Sequence, residues 1–352
     1  MYKASVDAAP VHKMAMAHRG KFYFLATLML LSHCVDATRE LHGKNGPEFA
    51  VKTIQMRPTA RPKRVSNNNN NNSFSNEIPM DMNMIRLKDG GCPPGTVPIR
   101  RMNQKEEYLR NEENIDGTVF AVGQTKGSPW RKYYGVGGTI SIYNPKVVQG
   151  QYSSAEIILR GTSDTIIAGW TVNPIKYKDN LTRFFIYSVA NGLHCFNSEC
   201  GFIIVRSDIP LDFVMSPVST RGGKIYTNLF FVYQDAMNGN WWLEVGLDPI
   251  VLGFWPKMIF EGLKNSATYA ACGGEVYSPA SITPPPEMGA GHYPDFAPDM
   301  VNDAFCKEFI VVDDAHNIVD AACTEKYTDD PNYGVFDNHM RDHQHIVSFG
   351  GH

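Results

Sequence analysis

Glu275 stands in the run Ala271-Cys272-Gly273-Gly274-Glu275-Val276-Tyr277. Two adjacent glycines let another backbone or a substrate come close, and the Glu-Val-Tyr that follows reads as a strand. A carboxyl group held stiffly beside such a gap can take or give a proton. Downstream, Pro284-Pro285-Pro286-Glu287-Met288-Gly289 adds a rigid frame. Upstream, Gly253-Phe254-Trp255-Pro256 leads into Met258, Ile259, Phe260 and Leu263, whose spacing predicts a short amphipathic helix with Pro256 in its first turn. The competing reading of Glu275 is an ordinary charged residue at a sheet edge.

The elements that must hold this residue come from a chain of 352 residues, 43% hydrophobic and 20% charged, which is enough for one or two well-buried domains. A net charge of -3 and the lack of a long basic stripe argue against nucleic acid; the one cationic cluster, Arg61 to Arg64, falls in a polar stretch. Phe22 to Val35 is the long apolar run. It is too short for a membrane span, follows His18, Arg19 and Lys21, and ends at Val35-Asp36-Ala37. Those features predict a secretory signal peptide over residues 1–37, with Met14 or Met16 as alternative starts, and no membrane anchor.

Secretion changes how the seven cysteines are read. Cys34 leaves with the signal and Cys92 lies in a removable segment. In an oxidising compartment the remainder predict two disulfides, Cys195 to Cys200 and Cys306 to Cys323, with Cys272 left over beside Glu275. A nucleophilic Cys272 lacks a histidine at any telling spacing. No Cys-x-x-Cys pair is present, and His339, His343 and His345 sit in a polar tail, so neither metal nor cofactor is expected.

Residues 38–116 are polar and irregular, with an asparagine run at Asn67 to Asn72 that reads as linker. Lys63-Arg64 and Arg100-Arg101 are basic doublets suited to processing, and Asn71 and Asn180 begin glycosylation sequons. After Thr118 the texture changes to short apolar or alternating runs: Thr118 to Val122, Thr139 to Tyr143, Ala155 to Leu159, Phe184 to Val189, Phe202 to Val205, Leu229 to Tyr233 and Trp241 to Val245. Glycine, proline and Asn-Gly separate them, and Asn238-Gly239 marks a hairpin. The expected fold is all-β, an antiparallel sandwich over residues 117–352.

These residues also carry a family resemblance. Lys52-Thr53-Ile54-Gln55-Met56-Arg57-Pro58 and Cys92 to Arg101 resemble the activation-peptide segment of the neprosin family, known chiefly from plants. Its catalytic domain is matched, in order, by Tyr133-Tyr134-Gly135, Ile142-Tyr143-Asn144-Pro145, Ala168-Gly169-Trp170, Asn173-Pro174, Thr182 to Tyr187, Ser216 to Ser219, Gly239 to Leu243, Gly253 to Pro256, Gly273 to Tyr277 and Pro286 to Gly289. The resemblance implies a secreted zymogen, extracellular or in vacuole or cell wall. Its mature part would be a lectin- or glucanase-like sandwich cutting polypeptides beside proline at acid pH with two glutamates. One of them corresponds to Glu275. The other immediately precedes Ala-Gly-Trp, and here that position holds Ile167.

That departure falls on the chemistry, because amide hydrolysis by carboxyl groups needs one to accept a proton from water while its neighbour donates. An isoleucine does neither, so the sequence predicts feeble turnover and a precursor that does not shed residues 38 to about 116 unaided. Asp164, Glu156, Glu244 and Glu287 are the acids available to substitute, with Glu287 and Glu244 ranked first. Trp170, Trp241, Trp242 and Tyr277 are the candidate substrate-binding aromatics, against core packing for at least two of the tryptophans. Two functions of different class therefore compete: a glutamic endopeptidase, and a non-catalytic sandwich binding proline-rich polypeptides or glycans. Glycoside hydrolysis, which also needs a carboxyl pair, has less support.

Overall fold

A computed structural model describes residues 55–64, 76–100, 117–127, 130–294, 299–340 and 344–352, all within the unit Gln55–His352. The expected signal peptide and Asn71 lie outside the described residues, as does His343. Among the described residues, eighteen strands form two sheets. The smaller runs in the order β16 (Thr324–Thr328), β3 (Thr118–Thr125), β13 (Tyr269–Tyr277), β5 (Tyr152–Arg160), β6 (Thr165–Val172), β7 (Thr182–Ala190) and β8 (Leu193–Phe196), every pair antiparallel.

The larger sheet is built on β15 (Asn317–Asp320), β14 (Ala304–Val312), β4 (Gly135–Ser141), β10 (Ile225–Gln234), β11 (Trp241–Val245), β12 (Ile250–Trp255) and β9 (Ile203–Ile204). The hairpin of β17 (Tyr333–Met340) and β18 (Gln344–Gly351) joins it through β14. Two strands from the polar N-terminal stretch complete it in parallel pairing, β1 (Lys63–Arg64) on β15 and β2 (Glu77–Pro79) on β10. Residues expected to be a detachable linker thus take part in the sheet, and Met80, Met82 and Ile85 behind them enter the main core. Arg61 adds a bidentate contact to Glu244, and Lys307 pairs with Glu77 at the end of β2.

Alternation decides which side chains meet between the sheets. Along β5, Ala155, Ile157 and Leu159 point into the main core, as do Ala168 and Trp170 of β6 and Phe184 and Ile186 of β7. Phe230, Val232, Trp241 and Leu243 answer from the larger sheet. The other face of the smaller sheet carries its own apolar layer of Val122, Ile158, Ile167, Phe185, Tyr187 and Ala271. The Asn238-Gly239 hairpin joins β10 to β11 as expected, with Gly239 at φ +78°.

Among the described residues, helix is confined to α1 (Pro174–Tyr177), capped by Asn173, whose Oδ1 accepts from the Lys176 amide at 3.0 Å, and to short 3-10 turns. One of those turns, Lys257–Ile259, replaces the amphipathic helix expected after Pro256. The reason is a competing acceptor: the Asp164 carboxylate, in the β5–β6 turn, receives the amides of Glu261, Gly262 and Leu263 at 2.8, 2.5 and 2.9 Å. Those amides are then lost to a helical ladder. Asp164 is buried in this role, which disposes of it as a catalytic partner. Replacing Asp164 with asparagine is expected to lower stability by about 1–3 kcal/mol, since a charge-assisted acceptor becomes a neutral one; denaturant titration checks this.

The disulfides differ in part from expectation. Cys195 bonds to Cys200, but Cys306 bonds to Cys272 and leaves Cys323 exposed and unbridged. Cys272 on β13 and Cys306 on β14 belong to opposite sheets, and their side chains meet in the core. A β-carbon at Gly138 would lie 2.4 Å from the Cys306 sulfur, so this glycine makes room for the bridge. Two disulfides fit an oxidising compartment.

Candidate functional site

The outward face of the smaller sheet holds Glu275, and register determines its company. On β13, Glu275 is opposite Ser154 of β5 on one side and Phe120 of β3 on the other. Two residues along, Gly273 is opposite Glu156, which in turn is opposite Gly169 of β6. Glu156 and Glu275 therefore share a face of adjacent strands as diagonal neighbours, whose α-carbons stand about 7–8 Å apart, within reach of two long side chains. Glu275 is 1% exposed and Glu156 0%.

The flanks of Glu156 are bare. A β-carbon at Gly169 would lie 2.7 Å from the α-carbon of Glu156 and 2.1 Å from the Ala155 carbonyl oxygen, and one at Gly273 would lie 2.4 Å from the Ala121 carbonyl oxygen. Glycine on both sides keeps the carboxyl between two side-chain-free lanes. Tyr152, at the start of β5, donates its hydroxyl to Glu275 Oε1 at 2.6 Å and stacks on Tyr277 with ring centroids 5.4 Å apart. Tyr152 thus holds one oxygen of Glu275 in place. Tyr277 is two residues from Glu275, on the same face of β13.

Ile167 lies on the same face of β6, opposite Ile158 and Tyr187, in the apolar row adjoining Glu156. The position before Ala-Gly-Trp therefore shares this face and carries no carboxyl. Glu156 stands between it and Glu275.

The other candidates are elsewhere. Trp170 and Trp241 are buried between the sheets, their indole N–H groups donating to the carbonyls of Ser141 and Leu263 at 2.9 Å each. Trp242 is buried on the far face of the larger sheet against Phe254. None of the three reaches Glu275; alternation from inward-facing neighbours sends each ring away from it. Glu244 shares Trp242's face, bound to Arg61 and to the Tyr233 hydroxyl at 2.7 Å. Glu287 is held in its loop by Lys146, through the backbone amide at 2.9 Å and the ammonium at 3.4 Å. His345 hydrogen-bonds Asp337 and stacks on His339. Asn180 is exposed in the loop after α1.

At the β7 margin, the guanidinium groups of Arg183 and Arg100 both lie over Tyr177, 5.1 and 5.3 Å from its centroid. Arg183 pairs with Asp179 at 2.8 Å, and Arg100 with Asp212 at 3.4 Å. At the opposite margin Tyr269 donates to Gln124 at 2.9 Å. Burial pushes its hydroxyl up to about 12, against the pull of Arg160 nearby, so it stays a donor across the physiological range.

The protein-family model described as Neprosin matches residues 149–352, a span that includes every strand from β5 onward and both glutamates. The chain belongs to the Neprosin family. Among solved structures, this Neprosin chain is similar to scytalido-glutamic peptidase with a peptide-based transition-state analogue, at 10% identity and a TM-score of 0.39, over 68% of this chain and 100% of that one. A second is SCP-B, a member of the Eqolisin family of peptidases, in a complex with the tripeptide Ala-Ile-His, at 9% identity and a TM-score of 0.37, again over 68% and 100%. Both likenesses are remote.

Sequence reasoning ranked Glu287 and Glu244 above Glu156. Strand alternation through Tyr152, Ser154, Glu156 and Ile158 was available as a signal, but the pairing of β5 with β13 was not.

Proposed function

We propose that this protein is a secreted peptidase in which Glu275 and Glu156 form the acid pair that hydrolyses the peptide bond. The observation that carries the reading is the placement of Glu156 beside Glu275, between two glycines, where the sequence alone left the second seat empty. In this scheme Glu275, positioned by Tyr152, takes a proton from the attacking water as its oxygen bonds to the scissile carbonyl carbon. Glu156, protonated, donates to the carbonyl oxygen; Glu275 then passes the proton it took from water to the leaving nitrogen as the C–N bond breaks, and Glu156 regains a proton from the hydroxyl as the carbonyl re-forms. Each acid returns to its starting state, so the pair ends each turnover with one proton between them.

Proline specificity draws on the apolar row of Ile158, Ile167 and Tyr187 next to the pair, which suits a pyrrolidine ring. In this reading residues 38 to about 116 are removed before catalysis, as in the zymogen that the family resemblance implies, and the domain begins near residue 117. With Glu156 as partner, the expectation of a precursor unable to mature reverses. Purified full-length protein held at acid pH shortens by itself, and a Glu156→Gln variant does not.

The deciding experiment is incubation of acid-treated protein with proline-containing peptides, beside Glu275→Gln, Glu156→Gln and Ile167→Glu variants. Cleavage that depends on both glutamates supports the reading; cleavage that emerges only with Ile167→Glu overturns it. The apolar row also favours a second reading, a binder of proline-rich chains without turnover, which would show saturable binding and no products. Tyr152 is a positioning residue in this scheme. Tyr152→Phe is expected to lower kcat about tenfold with KM unchanged, the worth of one hydrogen bond to a charged group, as steady-state kinetics would show.

A further inference from the structure

We infer that Arg160 selects substrates by binding a carboxylate of the polypeptide, about three residues along an extended chain from the bond that is cut. The inference rests on the peptidase reading above and deepens it by naming a substrate class.

Arg160 ends β5 on the same face as Glu156 and Ile158, by alternation. Its cross-strand neighbours are Tyr269 and Thr165. The guanidinium leans over the sheet to lie 5.1 Å from the Tyr269 centroid and 5.9 Å from that of Phe120, the residue opposite Glu275. Arg160 is four residues from Glu156 along β5, about 13 Å of strand, and the lean toward Phe120 carries the charge back toward the acid pair, to roughly three residues of extended chain.

Two aromatic faces fix the guanidinium plane but do not neutralise it. Among the described residues no carboxylate lies within ion-pair distance of Arg160, and its buried Nε has no hydrogen-bond partner. Arg183 and Arg100, at the other margin, each have an aspartate. The nearest acid by connectivity, Asp329, is engaged with the Phe120 amide at 2.9 Å and with the Tyr327 hydroxyl. A rigid, half-buried, planar cation with an idle donor, beside a cleavage pair, is complementary to a carboxylate. Two sources supply one: an Asp or Glu side chain, or the C-terminus of a short peptide.

The test uses the full-length chain, incubated at pH 5 after acid treatment, and fluorescent proline-containing peptides in three matched forms. One carries glutamate at successive positions from the proline, one glutamine at those positions, and one a free rather than amidated C-terminus. Both kcat/KM and equilibrium binding are measured, the latter on the Glu275→Gln variant shortened in trans by added wild type or, if nothing is cleaved, on the wild type itself. The wild type is expected to favour a carboxylate at one position by about tenfold or more, the ratio falling to about one in Arg160→Gln and below one in Arg160→Glu. A thermal melt confirms that each variant is folded. A preference for glutamate over glutamine assigns the side chain, and one for free over amidated ends assigns the terminus. If nothing is cleaved but the binding preference exists and needs Arg160, the carboxylate site on Arg160 stands, while the peptidase reading falls and with it the distance to a cut bond. Equal binding and cleavage of charged and neutral peptides, or a preference that survives Arg160→Gln, overturns the inference.

Discussion

Exchanging Glu156 for glutamine is expected to cost ~10²-fold to 10⁴-fold in kcat, the usual worth of one positioned acid or base. Glutamine keeps the volume between Gly169 and Gly273, so folding should be spared and the loss is chemical. Glu275→Gln is expected to fall into the same range. The double variant should be little worse than either single one, because two groups that share a proton fail together. A bell-shaped dependence of kcat/KM on pH in the wild type should lose a limb in each single variant, and these limbs belong to the pair rather than to one residue. Equal turnover by wild type and Glu156→Gln would remove Glu156 from the chemistry.

The second large effect concerns stability. Cys272 and Cys306 close a loop of 34 residues between the sheets, and a loop of that length gives ~4 kcal/mol on the chain-entropy model. Serine at both positions should therefore lower the unfolding free energy by about 2–5 kcal/mol. The effect on Glu275 would follow, since its strand is the one tethered three residues away. The corresponding change at Cys195 and Cys200, which span a separation of 5 at the margin, should cost less. Guanidinium titration of the two double variants compares them directly. A larger loss from Cys195 and Cys200 would mean that the inter-sheet bridge is not the main staple.

Local pattern made the sandwich legible: period-two alternation, Asn-Gly at the hairpin and glycine or proline between runs all act within a few residues. The Gly-Gly-Glu motif pointed to Glu275 for the same reason, and so did the short Cys195–Cys200 loop. What escaped was long-range. Nothing in the sequence says that β5 lies against β13, so Glu156 could not be given its neighbour, and Cys306 could not be given Cys272 in place of the nearer Cys323. The tryptophans misled because an indole beside glycine reads as a platform, yet Trp170 and Trp241 point inward, where their N–H groups meet carbonyls. The helix after Pro256 failed because Asp164, far upstream, claims the amides that it needed.

The two glutamates are spaced by the hydrogen-bonded ladder between neighbouring strands and not by loops. Sliding β5 by a single residue would turn Glu156 toward the interior and bring Ala155 out in its stead, while the sandwich could still bury much of its apolar surface. Turnover would then count only those molecules whose strands are correctly aligned, whereas tryptophan emission, which reports enclosure alone, would count the misaligned ones as well. Comparing the two signals during refolding would measure how faithfully this sheet finds its own alignment.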